Sequence, residues 1–456
     1  MEEYPLSKRR HSHASEAAEN KIQNDFNWWQ LSLIGVSSTI GTGYFLGSSI
    51  GIKAAGPSIV FSFILAAFGT FTVYHLLAKM TVAEPMQGSF CSYAGKAFGN
   101  WAGFCCGWIY WSSSLLIMGS QLTALSILSR FWFERIPLWL FASGYAILAI
   151  IVQLFGLKGF DKVENLLAIV KTAAAIMFIL LAFAALFQWI PGATSHFQFP
   201  GSVKKLFPLG FTGFWSSLIY AFYAFAGVEV IGLMAMHLKK KEDAPKSGNI
   251  MLIVLTIIYV LSLGLAVSME SYQAFNENES PFVKAMEDTH LAFFPDIFNG
   301  AIIIAGFSTM TAALFSVTTL LVTLAEDGNA PSFFKKKIKK FKNLPLPSLG
   351  MGAVGLLISI IAAFLLPDRI YEYITTSAGI LLLFNWLFIL ISAVRLLQLH
   401  LSTLLIAALG ALIIAAAIAG TMMEKAVRPG FYMSMASVVG IALLALLLKK
   451  LNILKE

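Results

Sequence analysis

Apolar stretches about twenty residues long recur along this chain, and they restrict its fold more than any other feature. A helix rises about 1.5 Å per residue, so about 20 mostly apolar residues cross the hydrocarbon of a bilayer. Twelve such stretches are expected, running approximately over Trp28 to Ile50, Pro57 to Leu77, Trp101 to Leu128, Leu138 to Leu157, Val163 to Trp189, Phe211 to Met236, Met251 to Met269, Ile297 to Leu324, Gly350 to Leu366, Tyr371 to Val394, Thr403 to Met422 and Tyr432 to Leu448. Charged residues make up only 12% of the chain against 58% hydrophobic, too little polar surface to cover a water-soluble globule. About 27 largely polar residues precede the first stretch and no small-residue cleavage site follows it, so that stretch is expected to remain in the protein. Cys91, Cys105 and Cys106 lie in apolar surroundings that suit packing, not a disulfide framework or a zinc site.

Basic residues give the orientation. With odd-numbered spans running outward, twenty-two lysines and arginines fall on the cytoplasmic side and nine outside, with Lys171 left within a span. That bias predicts an even number of spans and cytoplasmic N- and C-termini in the plasma membrane. The lysine-rich segment from Phe333 to Lys342 then reads as a juxtamembrane loop attracted to anionic lipid headgroups, with no nucleic-acid partner.

The informative positions are those that violate the rules for an apolar rod. The first span places Ser37, Ser38, Thr39, Gly41, Thr42 and Gly43 at its middle; the sixth places Ala224, Ala226, Gly227 and Glu229 there. Glycine costs about 1 kcal/mol relative to alanine inside a helix, so each cluster marks either a point prepared to unwind or a close approach of two helices. Unwound backbone at membrane depth needs a protein-lined cavity, where half-helix N-termini hold a carboxylate and freed carbonyls hold an ammonium group. The head group of an α-amino acid has both needs.

Two ionisable residues stand inside spans. Lys171 lies nine residues beyond Lys162, about 13 Å along a helix and too far to snorkel easily. It serves either as a group that changes protonation during a cycle or as a donor to carbonyls of a broken helix. Glu229, two residues past Gly227, is open to three uses: binding a proton, answering a cation, or bracing the segment. On the third span Tyr110, Ser114, Met118 and Gln121 share one face, which lines a cavity or packs against another helix. No phosphate-binding glycine loop, dinucleotide fingerprint, HExxH, Cys-x-x-Cys or nucleophile elbow occurs, so neither a cofactor nor enzymatic chemistry is expected.

Several motifs in order, Ile40-Gly41-Thr42-Gly43-Tyr44-Phe45-Leu46-Gly47, Ala55-Gly56-Pro57, Gly88-Ser89-Phe90, Gly107-Trp108-Ile109-Tyr110-Trp111, Phe225-Ala226-Gly227-Val228-Glu229, Ala244-Pro245-Lys246 and Leu324 to Pro331, span nearly the whole chain. In these the chain resembles the amino acid-polyamine-organocation (APC) superfamily, and within it the bacterial amino acid transporter family. The resemblance implies an all-α integral membrane fold of twelve transmembrane helices: a 5+5 inverted repeat with helices 1 and 6 broken, plus two extra C-terminal helices. It divides the chain into a cytoplasmic tail (1–27), a first repeat (28–190), an extracellular loop (191–210), a second repeat (211–396), helices 11 and 12 (397–450) and a cytoplasmic tail (451–456).

By the same resemblance, the backbone at Thr42 and Gly43 takes the substrate carboxylate, carbonyls around Thr39, Tyr223 and Ala226, next to Gly227, take the amino group, and Met118 and Gln121 approach the side chain. Lys171 matches the lysine that stands where sodium binds in sodium-dependent relatives, so Lys171 and Glu229 are expected to serve proton coupling, and sodium is not an expected partner. The sequence departs from the family pattern at Ser37 and Ser38 (usually glycine), Gln121 (usually acidic), Thr319 (usually arginine) and Met236 to Lys241 (usually polar and acidic). The expected function is proton-coupled uptake of a neutral, apolar amino acid by a permease. An amino acid exchanger is the alternative, and a non-transporting membrane sensor a more remote one.

Overall fold

The computed structural model describes residues 26–86, 90–155, 157–190, 200–289, 291–338, 344–366, 369–425 and 427–451, with side chains described outside 155–168. Ser89 and Gly88, the lysines from 339 to 342, most of the N-terminal tail and residues 191–199 of the expected extracellular loop lie outside the described residues. Among the described residues the chain is helical, with no strands and two isolated bridges, Phe26 to Leu238 and Ile338 to Leu344.

In chain order the helices are α1 Trp28–Thr39, α2 Thr42–Phe45, α3 Gly47–Ala55, α4 Ile59–Ala83, α5 Cys91–Phe98, α6 Asn100–Ser129, α7 Leu138–Phe155, α8 Leu157–Leu186, α9 Val203–Leu206, α10 Gly210–Tyr223, α11 Val228–Met234, α12 Ala244–Met269, α13 Pro281–Ala285, α14 Phe294–Glu326, α15 Leu346–Leu365, α16 Ile370–Leu396, α17 Leu401–Gly420 and α18 Arg428–Lys450. Local sequence sets several of the starts. Asn27 N–H donates to Gln30 Oε1 at 2.8 Å in a capping box at α1. Prolines stand in the first turn of α12, α14, α15 and α18, where a missing N–H costs nothing.

Ten helical stretches among the described residues are long and apolar enough to cross a membrane, so the chain is a multi-pass membrane protein. The stretch Thr42–Ala83 contains the second half of the first expected span and all of the second, and Leu138–Leu154 is a shorter apolar helix. These two places account for the difference from twelve. Burial sorts the helices into layers. The apolar window of α6 is 78% buried and that of α16 is 72% buried, whereas that of α18 is only 11% buried. Accordingly α6 packs against α14 and α16 at the centre, α4 packs against α12, and α18 lies at the periphery with leucines outward. Tight crossings rest on small residues: a Cβ at Gly103 would lie 3.3 Å from the Cα of Gly95, so α5 and α6 meet backbone to backbone.

Candidate functional site

Helical hydrogen bonding stops twice within the bundle. After α1, Ile40 and Gly41 adopt extended backbone before α2 begins at Thr42. The amides of Thr42 and Gly43, at the start of α2, have no intrahelical acceptor, and the last carbonyls of α1 have no intrahelical donor. After α10, Gly227 takes φ +102°, a left-handed conformation that a Cβ would strain, and α11 starts at Val228. Between them Phe225 N–H donates to Phe222 O at 3.0 Å and Ala226 N–H to Tyr223 O at 3.1 Å, so the segment turns back on itself.

The two interruptions face each other. A Cβ on Gly43 would lie 2.8 Å from Tyr223 Cδ1 and 3.4 Å from the Tyr223 carbonyl oxygen. Tyr259 of α12 ties them from one side: its ring stacks on Tyr44 with centroids 4.5 Å apart, and its hydroxyl donates to Ala224 O at 2.9 Å. From the α6 side Thr42 Oγ1 donates to Gln121 Oε1, and the hydroxyls of Ser120 and Tyr223 share a short hydrogen bond. From α16, Tyr371 Oη donates to Thr42 O at 3.1 Å. Gly41 is bordered by α14, since a Cβ there would lie 3.5 Å from Thr309 Cγ2 and 3.7 Å from Gln121 Nε2.

The structure thus brings Thr42, Gly43, Tyr223 and Gln121 together. Ala226 and Gly227, half-buried, follow immediately after the turn that holds Tyr223. Thr39 is buried at the end of α1, and its Oγ1 has no hydrogen-bond partner among the described residues. Met118 is fully buried in an apolar cluster with Leu122, Leu125, Met310 and Leu314. Lys171 is 1% exposed on α8, which packs against α1, α12 and α14.

Glu229, 2% exposed, accepts from three directions: Tyr110 Oη of α6 at 3.3 Å, Trp386 Nε1 of α16 at 3.3 Å and the Gly227 N–H at 3.1 Å. A buried carboxylate with three donors is a satisfied one. It fixes the left-handed turn at Gly227 to two other spans. Ser120, Tyr259, Tyr371 and Trp386 escaped the sequence reading. A tyrosine or serine on an apolar helix has many uses, and only the fold singles out those that reach the interruptions.

Residues 30–447 match the family model described as amino acid permease. The chain is 48% identical over 444 residues, 96% of its own length and 97% of the relative's, to an uncharacterized transporter, YcgH, of Bacillus subtilis (strain 168). It is 26% identical over 381 residues, 83% of this chain and 81% of the relative, to the gamma-aminobutyric acid permease of the same organism. It is also 29% identical over 357 residues, 78% of each chain, to the aromatic amino acid transport protein AroP of Salmonella typhimurium (strain SL1344).

Proposed function

This chain belongs to the amino acid permease family, and we propose that it takes up a neutral, apolar amino acid across the plasma membrane by alternating access coupled to protons. It is a transporter and not an enzyme. The observation that carries the proposal is the approach of the two interrupted helices, Gly43 against Tyr223, deep in the bundle. In this reading the amides of Thr42 and Gly43 receive the substrate carboxylate at the positive end of a helix. The carbonyls near Thr39 and Ala226 receive the ammonium group. Tyr223 O already accepts from Ala226 N–H, so it contributes through its second lone pair or after that turn opens.

Gln121 sets the substrate class in this proposal. Its amide is uncharged and is held by Thr42, so the position offers a cationic side chain no counter-charge. The relatives' names, one for gamma-aminobutyric acid and one for aromatic amino acids, support an amino acid cargo without choosing among neutral ones. The proposed frame is a 5+5 inverted repeat within twelve spans, with both termini cytoplasmic, and Lys171 and Glu229 are its proton-coupling groups.

Purified protein in liposomes with a pH gradient and no internal amino acid tests the whole reading. Accumulation of radiolabelled substrate that collapses with the gradient is expected, and competition against the twenty amino acids names the cargo. Uptake indifferent to the gradient but dependent on internal amino acid would replace the proposal with exchange.

A further inference from the structure

One face of α4 is exposed near its start and only partly covered further along. Phe61 is 45% exposed and Ile64 44%, and Phe68, Phe71, His75 and Lys79 continue the same face half-buried, at spacings of three and four. The stripe is therefore apolar for most of its length and polar at the end that the proposed orientation places in the cytoplasm. Two recesses open along it.

The upper recess is a groove of about 380 Å³ between α4 and α12, walled by Phe68, Phe71, Ile253 and Ile257. The lower is a cavity of about 300 Å³ between the end of α4 and the connection from α16 to α17, lined by Lys79, Gln398, His400 and Thr403. No carboxylate lines the lower cavity, and Lys79 forms no ion pair among the described residues. Glu84, one turn further on, is taken by Lys96. Phe71 precedes Lys79 by eight residues, about 12 Å along the helix. Between these ends, His75 Nδ1 and Asn249 Oδ1 are buried and lack hydrogen-bond partners among the described residues.

We propose that these two recesses form one site for an anionic phospholipid of the inner leaflet. Its phosphodiester sits by Lys79, His400, Gln398 and Thr403, headgroup or glycerol oxygens approach His75 and Asn249, and an acyl chain lies in the groove of Phe68, Phe71, Ile253 and Ile257. A cation with no counter-charge among the described residues, at the membrane interface, attracts a phosphate. An apolar groove on the same helix, about 12 Å from that cation, favours a phosphate that carries a chain. The inference rests on the cytoplasmic placement of this end proposed above, and on nothing about the amino acid cargo.

The test uses the full chain in detergent, titrated with dioleoylphosphatidylglycerol, dioleoylphosphatidylcholine or glycerol 3-phosphate and read by native mass spectrometry. Phosphatidylglycerol is expected to bind in preference to phosphatidylcholine, and Lys79→Gln should weaken it about fivefold, the worth of one lysine at an anionic surface. Ile253→Trp, at a position 58% exposed, should fill the groove and weaken both phospholipids while keeping the charge preference. Equal phosphatidylglycerol binding by the wild type and both variants overturns the site. Displacement of the lipid by equimolar glycerol 3-phosphate assigns the lower cavity to a free phosphate ester and overturns the lipid. Labelling of Gln398→Cys from outside intact cells by an impermeant maleimide overturns the inner-leaflet assignment, while the amino acid reading is decided separately by the uptake assay.

Discussion

Gly43 and Tyr223 are separated by 180 residues of sequence, yet no side chain larger than hydrogen fits between them, because a Cβ on Gly43 would come within 2.8 Å of the Tyr223 ring. The Thr42 and Gly43 amides, which lack intrahelical acceptors, therefore lie beside the turn that ends α10. The contact also explains why a glycine is needed at that point, beyond any need to unwind.

Gly43→Leu should abolish substrate binding while leaving expression intact. Overpacking of this kind costs about 1–3 kcal/mol, so a loss of about tenfold or more in affinity is expected. Equilibrium binding to the purified variant, with gel filtration as the check on folding, gives the answer; wild-type affinity would mean that substrate lies elsewhere.

Gln121→Glu places a carboxylate beside Thr42 Oγ1 and Gly41, in a buried position that is 6% exposed. Uptake of the neutral cargo should fall, and lysine or arginine should begin to compete. A competition profile identical to that of the wild type would remove Gln121 from substrate selection.

Glu229→Ala removes the acceptor for Tyr110, Trp386 and the Gly227 amide at once, and each orphaned donor costs about 1–3 kcal/mol. A marked drop in melting temperature is expected, smaller for Glu229→Gln, which keeps one carbonyl acceptor. If Glu229 also carries the coupling proton, the glutamine variant should transport without responding to the pH gradient. Thermal melts paired with uptake at two external pH values separate the bracing role from the coupling role.

Lys171→Ala should reach the membrane at normal levels and lose gradient-driven accumulation. The comparison of interest is net uptake against exchange in the same liposomes. Accumulation close to that of the wild type would exclude this lysine from coupling.

Lys53 Nζ lies 2.9 Å from Glu277 Oε2. Burial works against the Glu277 carboxylate, but the hydrogen bond and charge of Lys53 outweigh it and hold its pKa below the ordinary carboxylate range. A lowered folded-state pKa stabilises the fold above the unfolded value of about 4.3, and that stabilisation is lost as pH falls through the folded value. The Lys53 side chain is 54% exposed, so the contribution is below about 1 kcal/mol. Glu277→Gln should therefore lower the melting temperature slightly at neutral pH, and the difference should vanish in acid. A gap that persisted at pH 3 would mean that the ion pair is not its source.

Glycines and hydroxyls at mid-span pointed to Thr42, Gly43 and Gly227, since hydrocarbon leaves few reasons for such residues. The face of Tyr110, Ser114, Met118 and Gln121 was legible as a helical stripe, but its members part company in three dimensions. Gln121 meets Thr42, Tyr110 meets Glu229, and Met118 packs into an apolar cluster. Ser120, one position off that stripe, is the residue that reaches Tyr223.

That this chain is a helical membrane protein with many apolar spans was already legible in its residues, because apolar length and backbone self-satisfaction are properties of each segment alone. The partners of the interrupted segments were decided only by the tertiary structure. Thr42 accepts from Tyr371 across 329 residues and donates to Gln121 across 79, and no periodicity encodes contacts between helices so far apart. Such pairings follow from how the spans pack around one another, a property of the whole bundle and of no single stretch.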